Sequence, residues 1–169
     1  GFLAKRAVEE FIGRLDGETR AQIIIFDEKV DVAVPFTAVT DESRATLLAS
    51  LSRINYRGKF TNSPAAVERA IFDLKAGARP GAEKAIVFIT DGIVDTGDKA
   101  LDVEKARWLR EDVTADAAEH GIRIFAVAYT DNADFMLIQS LARRTKGEYF
   151  RAAKAEDLAG VFASISDSI

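Results

Sequence analysis

The 169-residue chain carries 23 Lys and Arg against 27 Asp and Glu, a net charge of −4, and 48% of its residues are hydrophobic. That composition excludes a disordered chain and supports one core-forming domain, while the acidic balance excludes a nucleic-acid binder that works through a basic surface. The absence of cysteine and the single histidine, His120, exclude disulfides, thiolate zinc sites and cysteine nucleophiles, and the longest apolar runs, Ala85–Ile89 and Ile124–Ala128, fall far short of the ~20 residues of a membrane span.

At the N-terminal end, Leu3, Ala7, Val8, Phe11, Ile12 and Leu15 recur at helical spacing, which predicts a helix over Phe2–Leu15 with one apolar face. Its charges at Lys5, Arg6, Glu9 and Glu10 interrupt the apolar stretch an export signal needs. A chain without cysteine suits a reducing cytosol and a secreted bacterial domain equally, so the compartment is left open. Gln22–Phe26 and the alternating Val30, Val32 and Val34 read as two strands of a hairpin turning at Asp27–Lys29, with Pro35 suited to an edge. Thr40-Asp41 then caps a helix carrying Leu47, Leu48, Leu51 and Ile54.

Asn55–Ser63 reads as a loop around Gly58, and Ser63-Pro64 as a helix start with serine at the N-cap, the helix running to about Lys75. Ala85–Ile89 has no polar face, as a strand buried on both sides of a parallel sheet requires. Thr90-Asp91-Gly92 ends it, and a long helix from about Lys99 to His120 follows. The cycle repeats with a strand at Ile122–Tyr129, a helix at Ala133–Arg144 capped by Asp131 or Asn132, a short strand at Glu148–Arg151 and a closing helix at Ala155–Ile165. Alternating strands and helices predict an α/β fold, three-layered and doubly wound, with a mostly parallel sheet and one antiparallel edge strand. In such a sheet Ile86, Phe88, Ile124 and Val127 are expected to be almost fully buried, and function lies at the C-terminal ends of the strands.

Nucleotide binding is not supported. Gly77–Lys84 has glycines and a lysine but precedes a strand, whereas a phosphate loop follows one and opens a helix. Asp91-Gly92-Ile93-Val94-Asp95-Thr96 resembles the loop of haloacid dehalogenase-like phosphatases, yet that alignment puts Ile89 where the family has its nucleophilic aspartate, and isoleucine forms no aspartyl-phosphate.

Six segments in order carry a more extensive resemblance: the helix Phe2–Leu15, the strand Ile23–Phe26, Thr61-Asn62-Ser63-Pro64-Ala65-Ala66, Ile86–Gly92, Gly121–Val127 and Thr145-Lys146-Gly147-Glu148-Tyr149-Phe150. Together they resemble a von Willebrand factor type A domain along essentially the whole chain. The resemblance implies a metal-ion-dependent adhesion site in which Mg²⁺, or another divalent cation, is held by an Asp-x-Ser-x-Ser loop, a threonine and an aspartate. Thr61 matches that threonine and Asp91 that aspartate. Oxygen donors suit a hard cation and leave a position for a carboxylate from a protein partner. In the family the Asp-x-Ser-x-Ser loop ends a strand just before the first helix, and this sequence begins on that helix. The expectation is therefore a single domain over 1–169 that lacks its first, central strand, with a strand-sized gap between Ile23–Phe26 and Ala85–Ile89 unless another segment fills it.

Plainer roles suit the other singled-out residues. Asp95, Asp98 and Asp102 match helix capping at the positive end of a helix dipole, with auxiliary cation binding beside Asp91 as the alternative. Trp108 and Leu109 match core or covered surface, His120 a helix end, and Asp131 and Asp134 caps. The sequence thus reads as a non-enzymatic, cation-dependent binding module for a protein partner. The alternatives are a metal-independent scaffold domain with a degenerate site and, more remotely, an Asp91-centred phosphatase.

Overall fold

The computed structural model describes residues 2–27, 29–53, 62–90, 94–128, 134–152 and 155–169. Helical periodicity at the N-terminal end forms α1 (Phe2–Gly13), which buries Phe11 and Ile12. The isoleucine run forms β1 (Arg20–Phe26) and the valine alternation β2 (Val30–Ala38), an antiparallel pair in which Phe26 faces Val30 and Ile24 faces Val32. Two register shifts place extra residues on β2, and exposed Pro35, which has no N–H to give a ladder, stands in one of these bulges. A capping box closes the start of α2 (Asp41–Ser50): Ser43 N–H donates to Thr40 Oγ1 at 3.2 Å, and Thr40 N–H to Ser43 Oγ at 2.8 Å. A 3₁₀ turn, Leu51–Arg53, ends this unit, and Ile54 lies outside the described residues.

α3 spans Ser63–Gly77, and its N-cap is Asn62 rather than Ser63, because the Asn62 carboxamide oxygen reaches the Ala65 N–H at 3.3 Å. Pro64 consequently sits at the second helical position. β3 (Lys84–Thr90) follows, then α4 (Lys99–Trp108), a π-helical turn (Leu109–Val113) and α5 (Thr114–Glu119), which together make the expected long helix with one wide turn inside it. β4 (Ile122–Ala128), α6 (Phe135–Arg144), β5 (Tyr149–Arg151) and α7 (Ala155–Ser168) complete the chain. Asp134 caps α6 by accepting the Leu137 N–H at 3.1 Å, whereas Asp131 and Asn132 lie outside the described residues.

β3, β4 and β5 form a parallel sheet in that order, with Ile86 beside Ile124 and Val127 beside Phe150. Side-chain alternation gives the sheet two apolar faces. On one, Phe88, Ile122 and Ile124 pack with Val67 and Ile71 of α3, Leu109 of the π turn and Leu141 of α6. On the other, Val87, Phe125 and Val127 pack with Phe11 of α1 and Leu158, Phe162 and Ile165 of α7. A third cluster joins α1 and α2 over the β1–β2 pair. The three-layer α/β architecture thus agrees with the periodicities.

The two sheets share no ladder among the described residues. Phe88, Ile124 and Val127 are buried as expected, but Ile86 is only half-buried. The reason is positional: β3 has β4 along one edge and a cavity along the other.

Candidate functional site at the strand ends

β1 and β3 run in the same direction. Arg79, just before β3, donates to the carbonyl of Glu18, just before β1, and at the far ends the rings of Phe26 and Phe88 stack with centroids 6.0 Å apart. Between the strands lies a cleft of about 960 Å³, walled by Ile23–Phe26 on one side and Lys84–Thr90 on the other. Val67 and Leu74 of α3 close one face of it, and Val8, Phe11 and Phe162 the opposite face.

At the C-terminal ends of these strands the chain is held by backbone bonds. Asn62 N–H donates to the Asp27 carbonyl at 2.8 Å, which fixes the entry to α3 beside the end of β1. Thr90, the last residue of β3, is buried. Asn62 and Thr90, the chain neighbours of Thr61 and Asp91, therefore border the same end of the cleft. Thr61 and Asp91 themselves lie outside the described residues.

The acidic run beyond β3 serves the turn and the helix start. Asp95 Oδ1 accepts the Gly97 N–H at 3.0 Å, and Asp98 Oδ1 accepts from Ala100 and Leu101 at 3.0 and 3.2 Å as the N-cap of α4. Asp102 Oδ1 receives both the N–H and the hydroxyl of Thr96, at 2.7 and 2.6 Å. Of the three, Asp98 satisfies orphan donors of the helix start, while Asp95 and Asp102 hold the turn that leads into it. A feature not foreseen in the sequence rims the same end: Arg151 lies 4.2 Å above the Phe135 ring, which meets Tyr149 edge-on at 6.5 Å. Partial burial pushes the Tyr149 phenol above its ordinary 10.0, opposed by the Arg151 charge.

A second cluster of metal-type side chains, Asp116, Glu119 and His120, sits at the opposite end, where α5 leads into β4. The Asp116 carboxylate is engaged by Lys75 Nζ at 3.1 and 3.3 Å and by His120 Nδ1 at 3.2 Å. His120 occupies the C-cap of α5, and Trp108 is half-buried against the core with Lys105 Nζ 5.7 Å from its ring centre, both in keeping with structural roles.

The family described as von Willebrand factor type A domain matches residues 3–164, and the chain belongs to it. It is 32% identical over 100 residues to integrin alpha-2 of Bos taurus, covering 56% of this chain and 8% of that protein. It is 29% identical over 147 residues to von Willebrand factor A domain-containing protein 2 of Mus musculus, covering 76% of this chain and 18% of that protein. The chain thus spans less than a fifth of either relative. Among solved structures, the von Willebrand factor type A protein from Catenulispora acidiphila superposes with a TM-score of 0.80 at 17% identity, covering 98% of this chain and 37% of that one. Proximal thread matrix protein 1 from the mussel byssus, with a zinc-occupied MIDAS motif, superposes with a TM-score of 0.70 at 14% identity, covering 98% and 41%.

Proposed function

We propose that this chain is a protein-interaction module, without catalysis, whose recognition surface is the C-terminal end of the sheet, and that a divalent cation held there by Thr61 and Asp91 bridges to a carboxylate of the partner. The observation that supports this most is the common position of Asn62 and Thr90, which bring the chain on either side of the cleft to one end of two parallel strands. In doubly wound folds that end, where strand order reverses, is where ligands bind. The adhesion-type relatives and the zinc-bearing MIDAS of the byssus protein agree with the reading.

The donor types fit: a hydroxyl and a carboxylate oxygen suit Mg²⁺, and a carboxylate supplies the charge that offsets its dehydration. Two donors fill only a third of the roughly six positions Mg²⁺ requires, and the nearby Asp95, Asp98 and Asp102 are committed to N–H groups. The 169 residues by themselves should bind Mg²⁺ weakly or not at all. Extended upstream by an apolar strand ending in Asp-x-Ser-x-Ser, the protein should bind Mg²⁺ in titration calorimetry. In that extended protein Asp91→Ala should weaken binding more than Thr61→Ala, since it removes a charge as well as a ligand. Equal binding with and without Asp91 would favour the metal-independent scaffold.

A further inference from the structure

On the flank of the helix layer, where α3 meets the π turn, lies a second, smaller cavity of about 200 Å³. That is below the ~300 Å³ at which pockets for whole small molecules begin, and it suits a single side chain. Its floor is apolar, Ile71 of α3 and Val113 of the π turn, both buried. Trp108 walls one side with an indole that is half-buried against the core. The remaining lining is acidic: Glu68, Asp112 and Asp116. Trp108, Asp112 and Asp116 recur every four residues and form one ridge of the long helix, with Glu68 and Ile71 on the α3 ridge beside it.

Among the described residues no basic side chain lines the cavity, and the chain's own cations stand at its two ends. Lys105 Nζ lies 5.7 Å from the Trp108 ring centre, and Lys75 Nζ reaches the Asp116 carboxylate at 3.1 Å. The Glu68 and Asp112 carboxylates, between those ends, have no ion pair or hydrogen bond among the described residues. Both residues are exposed, so a cation that pairs with them there pays little desolvation. The wide turn beside them is firmly held: the Arg110 carbonyl accepts from Arg144 Nη1 at 3.0 Å and from the Thr114 hydroxyl. Turns of this kind recur at functional sites, and this one begins directly after Trp108 and carries Asp112 and Val113. Phe72, one helical turn beyond Glu68 on the same face of α3, is 65% exposed and adds an apolar flank.

We infer that this cavity is a docking site for an arginine side chain presented by a protein partner. Charge complementarity selects a cation, and the aromatic wall selects arginine over lysine. A guanidinium is planar and weakly hydrated, stacks on an indole face and gives paired N–H bonds to carboxylates. Phe72 offers contact to an apolar residue beside that arginine. This goes beyond the cation reading and uses none of its ligands. The test titrates the 169-residue chain, in EDTA, with the blocked tripeptide Ala-Arg-Ala and with its citrulline counterpart, which keeps the shape and loses the charge. Trp108 is the single tryptophan, so its fluorescence and its indole N–H resonance report on the cavity directly. The expected result is a saturable change with the arginine peptide and none with the citrulline peptide. In the double variant Glu68→Gln, Asp112→Asn the affinity should fall at least about fivefold; both positions are exposed and both replacements keep the side-chain volume, so the fold is kept. No change in either signal, an equal response to citrulline, or an unaltered affinity in the double variant would overturn the proposal. So would a Trp108 signal that shifts with protein concentration alone while light scattering shows a doubled mass, which assigns the cavity to a second copy of this chain. With Mg²⁺ absent throughout, none of these outcomes bears on Thr61 and Asp91.

Discussion

Thr145 supplies the hydrogen bond that Ile124 would otherwise lack: its buried hydroxyl accepts the Ile124 N–H at 2.9 Å and donates to the Leu141 carbonyl at 2.8 Å. Farther along the same edge of β4, Ala126 N–H reaches the Glu148 carbonyl and the Ala128 carbonyl accepts from Ala152. β5 begins too late to serve Ile124, and a side chain takes its place. Thr145→Val keeps the shape and orphans a buried N–H, so it should cost about 1–3 kcal/mol. Thr145→Ser, which keeps the hydroxyl, should cost distinctly less. Urea unfolding of the two variants compares them directly.

Gly147 rests on the same residue. A β-carbon there would lie 1.9 Å from the Ile124 carbonyl oxygen and 2.6 Å from its carbon, and those atoms belong to a central strand that cannot move aside. Gly147→Ala should therefore destabilise by more than about 3 kcal/mol, at the severe end of single substitutions, and thermal melting should show a large drop or no folded protein. Gly13→Ala, with no atom within 4 Å of the added carbon, is the neutral comparison.

Lys146 joins these two residues in a left-handed conformation, φ 62°, at the end of α6. Gly147 N–H bonds to the Ala142 carbonyl at 2.9 Å and Lys146 N–H to that of Arg143 at 3.4 Å, the paired bonds of a Schellman ending. A side chain disfavours this backbone region by about 1–2 kcal/mol, so Lys146→Gly should raise stability by roughly 1 kcal/mol after the entropy cost of glycine. Lys146→Val should lower it. Denaturant midpoints at constant slope would show both signs.

Asn62 caps α3 and bonds its own N–H to Asp27. Loss of the cap in Asn62→Ala should cost about 1 kcal/mol. Asn62→Asp should restore it, because the carboxylate accepts the same N–H and favours the positive helix end.

Tyr149 should give stability a dependence on alkaline pH. Its folded-state value is raised by burial, so between about pH 10 and the higher folded value the native state holds a proton that the unfolded chain has released. Stability from this group is complete below the unfolded value and is lost as pH rises through the folded one. Tyr149→Phe should flatten the fall in unfolding free energy above about pH 10 relative to the parent. An identical slope in both proteins would remove burial at Tyr149 as its cause.

Local physics in the sequence fixes much of this molecule. The helical spacing through Phe11, the valine alternation of β2 and the unbroken apolar run of β3 each specify an element, because period 3.6, period 2 and the absence of a polar face admit few other solutions. Thr40 and Asp98 were legible as caps for the same local reason, since their partners lie within three residues. Thr61 and Asp91 were legible only through the family pattern, and the tertiary structure contributes the common position of their neighbours Asn62 and Thr90. Residues 27 and 62 are joined by a hydrogen bond that no local spacing announces, and the Arg151–Phe135–Tyr149 stack likewise depends on β5 lying beside β4. Half-burial of Ile86 was illegible as well: its own sequence demands a buried strand on both faces, while its exposure is decided by whether a neighbour lies along its edge. Periodicity reports which face of a strand is apolar, but edge pairing is a contact between distant segments: a gap beside β3 was expected only through the family pattern, and which residues line it, and that it leaves Ile86 half-buried, only the packed chain decides.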